Sequence, residues 1–184
     1  VIWQVLLWQL PSAKKLTSIM KKIILLFTLL SAIFLFSFSE KSNIEVVKYP
    51  WLEKIFAIKN DTTYVYNFWA TWCMPCVAEL PAFEKINKTY QSKKVKVVLV
   101  SLDYVKKLND VLIPFVKKRK IQSKVVLLNE PDGNTFIDKI DSNWSGALPA
   151  TLIINNNTSF RFFDEKEFNF DSIDSIIKIS FQKK

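Results

Sequence analysis

Two cysteines, Cys73 and Cys76, are the only thiols in a chain of 184 residues, and they lie one helical turn apart in Trp72-Cys73-Met74-Pro75-Cys76. A Cys-x-x-Cys pair that opens a helix is the arrangement of a reactive dithiol. The first cysteine meets unpaired backbone N–H groups and the positive end of the helix dipole, and both favour thiolate over thiol. The second lies close enough to close a disulfide. Such a bond is a poor staple: in the chain-entropy account a cross-link stabilises by closing a long loop, and this one constrains almost nothing. It is better explained as a redox device. The chain has no histidine, which removes Ser-His-Asp triads and histidine bases. Two cysteines give two metal ligands where a closed zinc site wants four. A metal centre would need carboxylates or a second subunit; no metal and no cofactor are expected.

The elements that must position the pair can be read around it. Thr63 to Trp69 is aromatic and β-branched and predicts a strand. A helix is expected to begin near Cys73 and to continue through Val77, Leu80, Phe83 and Ile86 at helical spacing, with a kink at Pro81. Val95 to Val100, apolar except for Lys96, suits a central strand buried on both faces. Val105 to Val116 predicts an amphipathic helix interrupted at Pro114. Val125 to Leu128 and Ala150 to Ile154 predict further strands. Asn155-Asn156-Asn157 predicts a turn with asparagine at positive φ, and Ser159 to Phe163 the second arm of its hairpin. A last helix is expected from an Asp171 N-cap, carrying Ile173, Ile176, Ile177 and Phe181. Trp51 to Ile58 predicts a short helix. Strands alternating with helices indicate an α/β fold, a central mixed β-sheet with helices on both faces.

Not all of the chain belongs to that fold. From Met20, two lysines precede Ile23–Phe36, which is almost entirely apolar, and Ser37-Phe38-Ser39 follows. This is a basic n-region, an apolar core and a small-x-small cleavage site. The core is shorter than the ~20 apolar residues of a membrane span. Residues 20–39 therefore predict a signal peptide or an uncleaved N-terminal anchor. Residues 1–19 precede the natural start of such a signal and predict an upstream start extension; the alternative is one long anchor broken by Pro11 and Lys14-Lys15. Residues 40–184 suit one domain with one core. This part carries 22 basic against 17 acidic residues, a net charge of +5. The run Lys117-Lys118-Arg119-Lys120 predicts a solvated helix end rather than a nucleic-acid surface.

Asn67-Phe68-Trp69-Ala70-Thr71-Trp72-Cys73-Met74-Pro75-Cys76, followed by Glu79 and Pro81, resembles the TlpA/ResA family of exported thiol–disulfide oxidoreductases, which have the thioredoxin fold. Gly146-Ala147-Leu148-Pro149-Ala150-Thr151 resembles the same family's cis-proline segment, and the order of elements agrees over about residues 44–182. The resemblance implies that Cys73 is the nucleophile, exposed at the helix start, and that Cys76 resolves the mixed disulfide. Met74 and Pro75 would tune the Cys73 thiolate. Pro149 would be cis and face the cysteines, with the backbone of Leu148 pairing with a bound partner. Trp72 would pack beside Cys73 and shield one side of the disulfide. Thioredoxins proper place a buried aspartate where Asn67 stands. Glu79, on the turn after Cys76, is the candidate to replace it as proton acceptor; the alternative is a plain surface glutamate.

The implied function is reduction of protein disulfides in the periplasm or another extracytoplasmic space, with cytochrome c maturation as one family task. The implied partners are a disulfide-containing protein substrate and a membrane electron donor of thiol–disulfide type, and the protein would be monomeric. The alternatives are an oxidant or isomerase of the same fold and a non-catalytic binding domain. Peroxidase relatives use a Thr-x-x-Cys site, which is absent here. Copper-carrier relatives use a histidine, which this chain lacks.

Overall fold

The computed structural model describes residues 44–130 and 132–182, together with Lys22 and Leu25. The extension and the signal or anchor segment expected over residues 1–39 otherwise lie outside the described residues. Among the described residues, no helix is long and apolar enough to cross a membrane.

Residues Ser42–Lys184 form one unit. Its strands are β1 (Glu45–Val47), β2 (Thr63–Trp69), β3 (Val95–Ser101), β4 (Lys124–Leu128), β5 (Ala150–Asn155) and β6 (Phe160–Asp164). They make one sheet in the order β1-β4-β3-β2-β5-β6. The first four of these run parallel, and β5 and β6 continue the sheet antiparallel. The helices are α1 (Tyr49–Phe56), α2 (Met74–Thr89), α3 (Ile113–Arg119), α4 (Ile137–Ile140) and α5 (Phe170–Ser180).

The side-chain period of two in β2 divides the core. Val65 and Trp69 point to one face, where Leu80, Phe83 and Ile86 of α2 and Ile173 and Ile177 of α5 pack. Tyr66 and Phe68 point to the other, against Leu52 of α1 and Ile140 of α4. The sheet is thus covered on both faces, as the alternating elements require.

Helix α2 runs through Pro81 to Thr89, as expected; the proline forfeits one backbone hydrogen bond, and the buried face made by Leu80, Phe83 and Ile86 continues across it. Other local expectations are corrected. The stretch from Val105 starts as a 3-10 turn (Val105–Lys107), widens to a π-helix (Leu108–Leu112), and becomes α-helical only at Ile113. Pro114 therefore sits in the first turn of α3, where a missing N–H costs nothing. The N-cap of α5 is Asn169, not Asp171: its side chain accepts from Ser172 N–H at 2.9 Å. The hairpin asparagines do not take positive φ; Ser159 does, at 57°. Asn155 instead uses its side-chain oxygen to accept from the N–H groups of Asn157 and Thr158. The edge strand β1 and the short helix α4 carry too few residues to show a period.

Candidate active site

Cys73 lies just beyond the C-terminal end of β2, as the N-cap of α2. Its backbone is extended, with φ −87° and ψ 100°, and it is tied down on both sides. Cys73 N–H donates to Ala70 C=O at 3.1 Å, and Val77 N–H to Cys73 C=O at 3.0 Å. The side chain does what a capping serine would do: Cys76 N–H donates to Cys73 Sγ at 3.3 Å. Pro75 occupies the first turn, where its missing N–H is harmless. Cys73 and Cys76 are joined as a disulfide, with Cα atoms 5.3 Å apart. In the reduced state the same N–H and the helix dipole would favour a thiolate at Cys73 over one at Cys76.

Cys73 is more enclosed than a helix-start nucleophile was expected to be. It is only 6% exposed and Cys76 is fully buried. The exposed groups are its neighbours: Trp72 is 62% and Met74 76% exposed. These two, with Pro75, Tyr104, Val105 and Leu148, line a groove of about 810 Å³ that reaches Cys73. Trp72 thus forms a wall of the approach to the sulfur. Trp69 and Trp144 belong to the core: Trp69 packs on Phe115, and Trp144 on Phe68, Phe136 and Phe163.

The Leu148–Pro149 bond is cis. Leu148 lines the same groove as Trp72 and Met74, and Pro149 is buried just before β5. Two hydrogen bonds and one glycine turn shape this loop. Trp144 Nε1–H donates to Ala147 C=O at 2.9 Å, the Ser145 hydroxyl donates to Glu165 at 2.8 Å, and Gly146 takes φ +90°, a conformation that a side chain would strain.

Glu79 is no surface residue. It is 2% exposed and does not line the groove. Asn67 Nδ2 donates to its Oε1 at 2.7 Å and Phe168 N–H to its Oε2 at 2.8 Å. Burial pushes the Glu79 carboxyl up to about 7. The Phe168 N–H and the Asn67 amide oppose the rise because both bond the ionised form, and the charge of Glu167 adds to it. In the unfolded chain the carboxyl returns to its ordinary value of 4.5. Between these two values the folded state binds more protons than the unfolded state. The contribution of Glu79 to stability is therefore complete below the lower value and is lost as pH rises through the upper one. Thermal melts across this window should show a falling Tm that Glu79→Gln flattens; parallel slopes for the two proteins would reject the assignment.

One group at the site was missed from the sequence. Asp103 is buried just after β3, and its carboxyl oxygens accept from Thr71 N–H at 3.1 and 3.3 Å, from the Thr71 hydroxyl at 2.6 Å and from the Ser101 hydroxyl at 2.8 Å. It clamps the turn that carries Cys73 to the end of the neighbouring strand. The available signal was a carboxylic acid directly after an apolar run. Its partner could be found only from the parallel pairing that places Trp69 beside Ser101.

A family model described as AhpC/TSA family matches residues 54–162, more than half of the chain. Over 37 residues the chain is 54% identical to "Thiol-disulfide oxidoreductase ResA" of Oceanobacillus iheyensis, covering 20% of this chain and 19% of that protein. Over 63 residues it is 35% identical to "Sporulation thiol-disulfide oxidoreductase A" of Bacillus subtilis, covering 34% of this chain and 38% of that one. These matches span well under two thirds of the relatives' own lengths. Among solved structures, a thioredoxin-related protein from Neisseria meningitidis serogroup B superposes with a TM-score of 0.57 at 25% identity, over 67% of this chain and 87% of that one.

Proposed function

Because this chain belongs to the AhpC/TSA family, as a TlpA/ResA-like member of the thioredoxin superfamily, we propose that it is a thiol–disulfide oxidoreductase that reduces protein disulfides outside the cytoplasm. The observation that carries the reading is the capping geometry: Cys73 Sγ accepts a helix N–H, and Cys73 lines an open groove. The basic and apolar stretch from Met20 to Phe36 supports export, by secretion or by anchoring.

In the reduced state, the Cys73 thiolate attacks one sulfur of the partner's disulfide. A Cys73–partner bond forms, the partner's S–S bond breaks, and the leaving sulfur takes a proton. Cys76 then loses its proton to Glu79, the buried base one turn along α2, and attacks Cys73 Sγ. The Cys73–Cys76 bond forms as the Cys73–partner bond breaks, the partner's second sulfur leaves as a thiolate that takes a proton, and two electrons have moved from the dithiol to the partner. Trp72, Met74 and Leu148, which line the groove with Cys73, hold the partner's chain there. Each turnover leaves Cys73–Cys76 oxidised, so a membrane donor of thiol–disulfide type must restore the dithiol. Apocytochrome c cysteines awaiting haem attachment are one fitting substrate.

Equilibration with glutathione buffers tests the direction. The expected reduction potential lies below about −230 mV, more reducing than the glutaredoxins. A higher value would assign the protein to disulfide formation or isomerisation instead.

A further inference from the structure

Glu79 has a partner whose chemistry is only half used. Asn67 is fully buried on β2. Its Nδ2 donates to Glu79 Oε1 at 2.7 Å and to Thr151 Oγ1 at 3.3 Å, while its Oδ1 is buried with no partner among the described residues. Thr151 stands directly opposite Asn67 in the β2–β5 register, two residues after Pro149. This arrangement suits an ionised Glu79, with one donor on each carboxylate oxygen.

Protonation changes what Glu79 needs. A carboxylic acid must donate one hydrogen bond. Phe168 N–H can only donate, so the proton cannot be matched on Oε2. On Oε1 it faces the Asn67 amide. A half-turn of that amide about its Cβ–Cγ bond exchanges Nδ2 for the unused Oδ1. The Thr151 hydroxyl, which can accept or donate, keeps its bond in both orientations. Each orientation leaves one amide atom unpaired, so neither state of Glu79 is favoured by the count of bonds.

We propose that Asn67 is a positioning residue for the proton of Glu79: its amide donates to the carboxylate and turns over to accept from the acid, with Thr151 as the pivot. An aspartate at this position could not serve in this way, because it would add a second carboxyl to the same buried space. The inference rests on the reading of Glu79 as the proton acceptor for Cys76.

The groups around Glu79 limit what else could report on it. Asn67 from β2 and Thr151 from β5 are uncharged. The segment between β6 and α5 brings the charge of Glu167, and α2 brings the cysteine pair itself. With the disulfide closed the cysteines do not titrate, so Glu79 can be followed alone.

The test is NMR on the full oxidised chain. The Glu79 carboxyl and the Asn67 side-chain amide are followed from about pH 4 to about pH 9, spanning the ordinary and the raised carboxyl values. The two signals should titrate with one midpoint. In Asn67→Leu, which removes the partner of both states, the Glu79 midpoint should rise by less than about one pH unit, because only the difference between a charge-assisted and a neutral hydrogen bond is lost. In Asn67→Asp, the two carboxyls should retain one shared proton above the wild-type midpoint. An Asn67 amide signal that stays flat through the Glu79 midpoint would overturn the proposal, as would a rise of about two pH units or more in Asn67→Leu, the mark of a fixed donor that bonds only the carboxylate. The wild-type measurement needs no variant to fold. Alkylation of Cys76 against pH in the reduced protein separates the two readings. If Glu79→Gln leaves that profile unchanged while Asn67 and Glu79 titrate together, the acceptor role of Glu79 fails and the turning amide serves no proton transfer from Cys76; if the profile changes while the Asn67 signal stays flat, the Asn67 inference alone fails.

Discussion

Cys76→Ser is expected to stop turnover after a single event and to leave the partner covalently bound to Cys73. The first attack needs only the Cys73 thiolate, its helix-capping N–H and the groove that admits the partner. Release needs a second sulfur within bonding reach, and Cys76 is the one other cysteine of the chain. A serine hydroxyl cannot attack a disulfide under the same conditions. Turnover should therefore fall by at least about a thousandfold, as for removal of a covalent nucleophile. Mass spectrometry of the trapped species would identify the partner. Cys73→Ser should be equally inactive but should trap nothing, because Cys76 is fully buried behind it. Covalent capture by Cys73→Ser, or near-normal turnover by either variant, would overturn the assigned order of attack. Variants that keep full biological activity would favour a binding domain without redox work.

Asp103→Ala should produce the second large effect, on both stability and reactivity. Removing the carboxyl leaves three donors without their acceptor in a buried place: Thr71 N–H, the Thr71 hydroxyl and the Ser101 hydroxyl. At about 1–3 kcal/mol for each unsatisfied group, and with partial relaxation of the turn, a loss of about 3 kcal/mol is expected. Urea unfolding would measure it. The same change frees the turn that sets the position of Cys73 relative to the groove, so the alkylation rate of Cys73 in the reduced protein should fall about tenfold or more. Asp103→Asn sharpens the point. It keeps the shape but turns one acceptor into a donor facing donors, so it should be destabilising as well. A stable Asp103→Ala protein with wild-type Cys73 kinetics would show that the clamp is dispensable.

Much of the fold was legible because its signals are local. Strand β2 and helix α2 follow from short-range pattern, and so does the capping position of Cys73. What failed was the detail that packing decides. Leu108–Leu112 widens into a π-helix ahead of Pro114. Asn169 rather than Asp171 caps α5, two acceptable capping side chains between which only the path of the incoming chain chooses.

The sequence by itself determined the redox pair, its place at a strand-to-helix junction and the absence of a histidine base. These follow from residue type and from spacings within one helical turn, where backbone geometry leaves little freedom. Only the tertiary structure decided what surrounds the pair. Glu79 meets Asn67 across 12 residues of chain and Phe168 across 89, and Asp103 reaches Thr71 across 32. Those meetings depend on which strands pair and in what register, and on how α2 and the β6–α5 segment pack over the sheet. A glutamate one turn after a cysteine looks the same in sequence whether it faces water or the core. Burial makes it a group that titrates near neutrality, and burial is a property of the packed sheet and helices rather than of the turn that carries it.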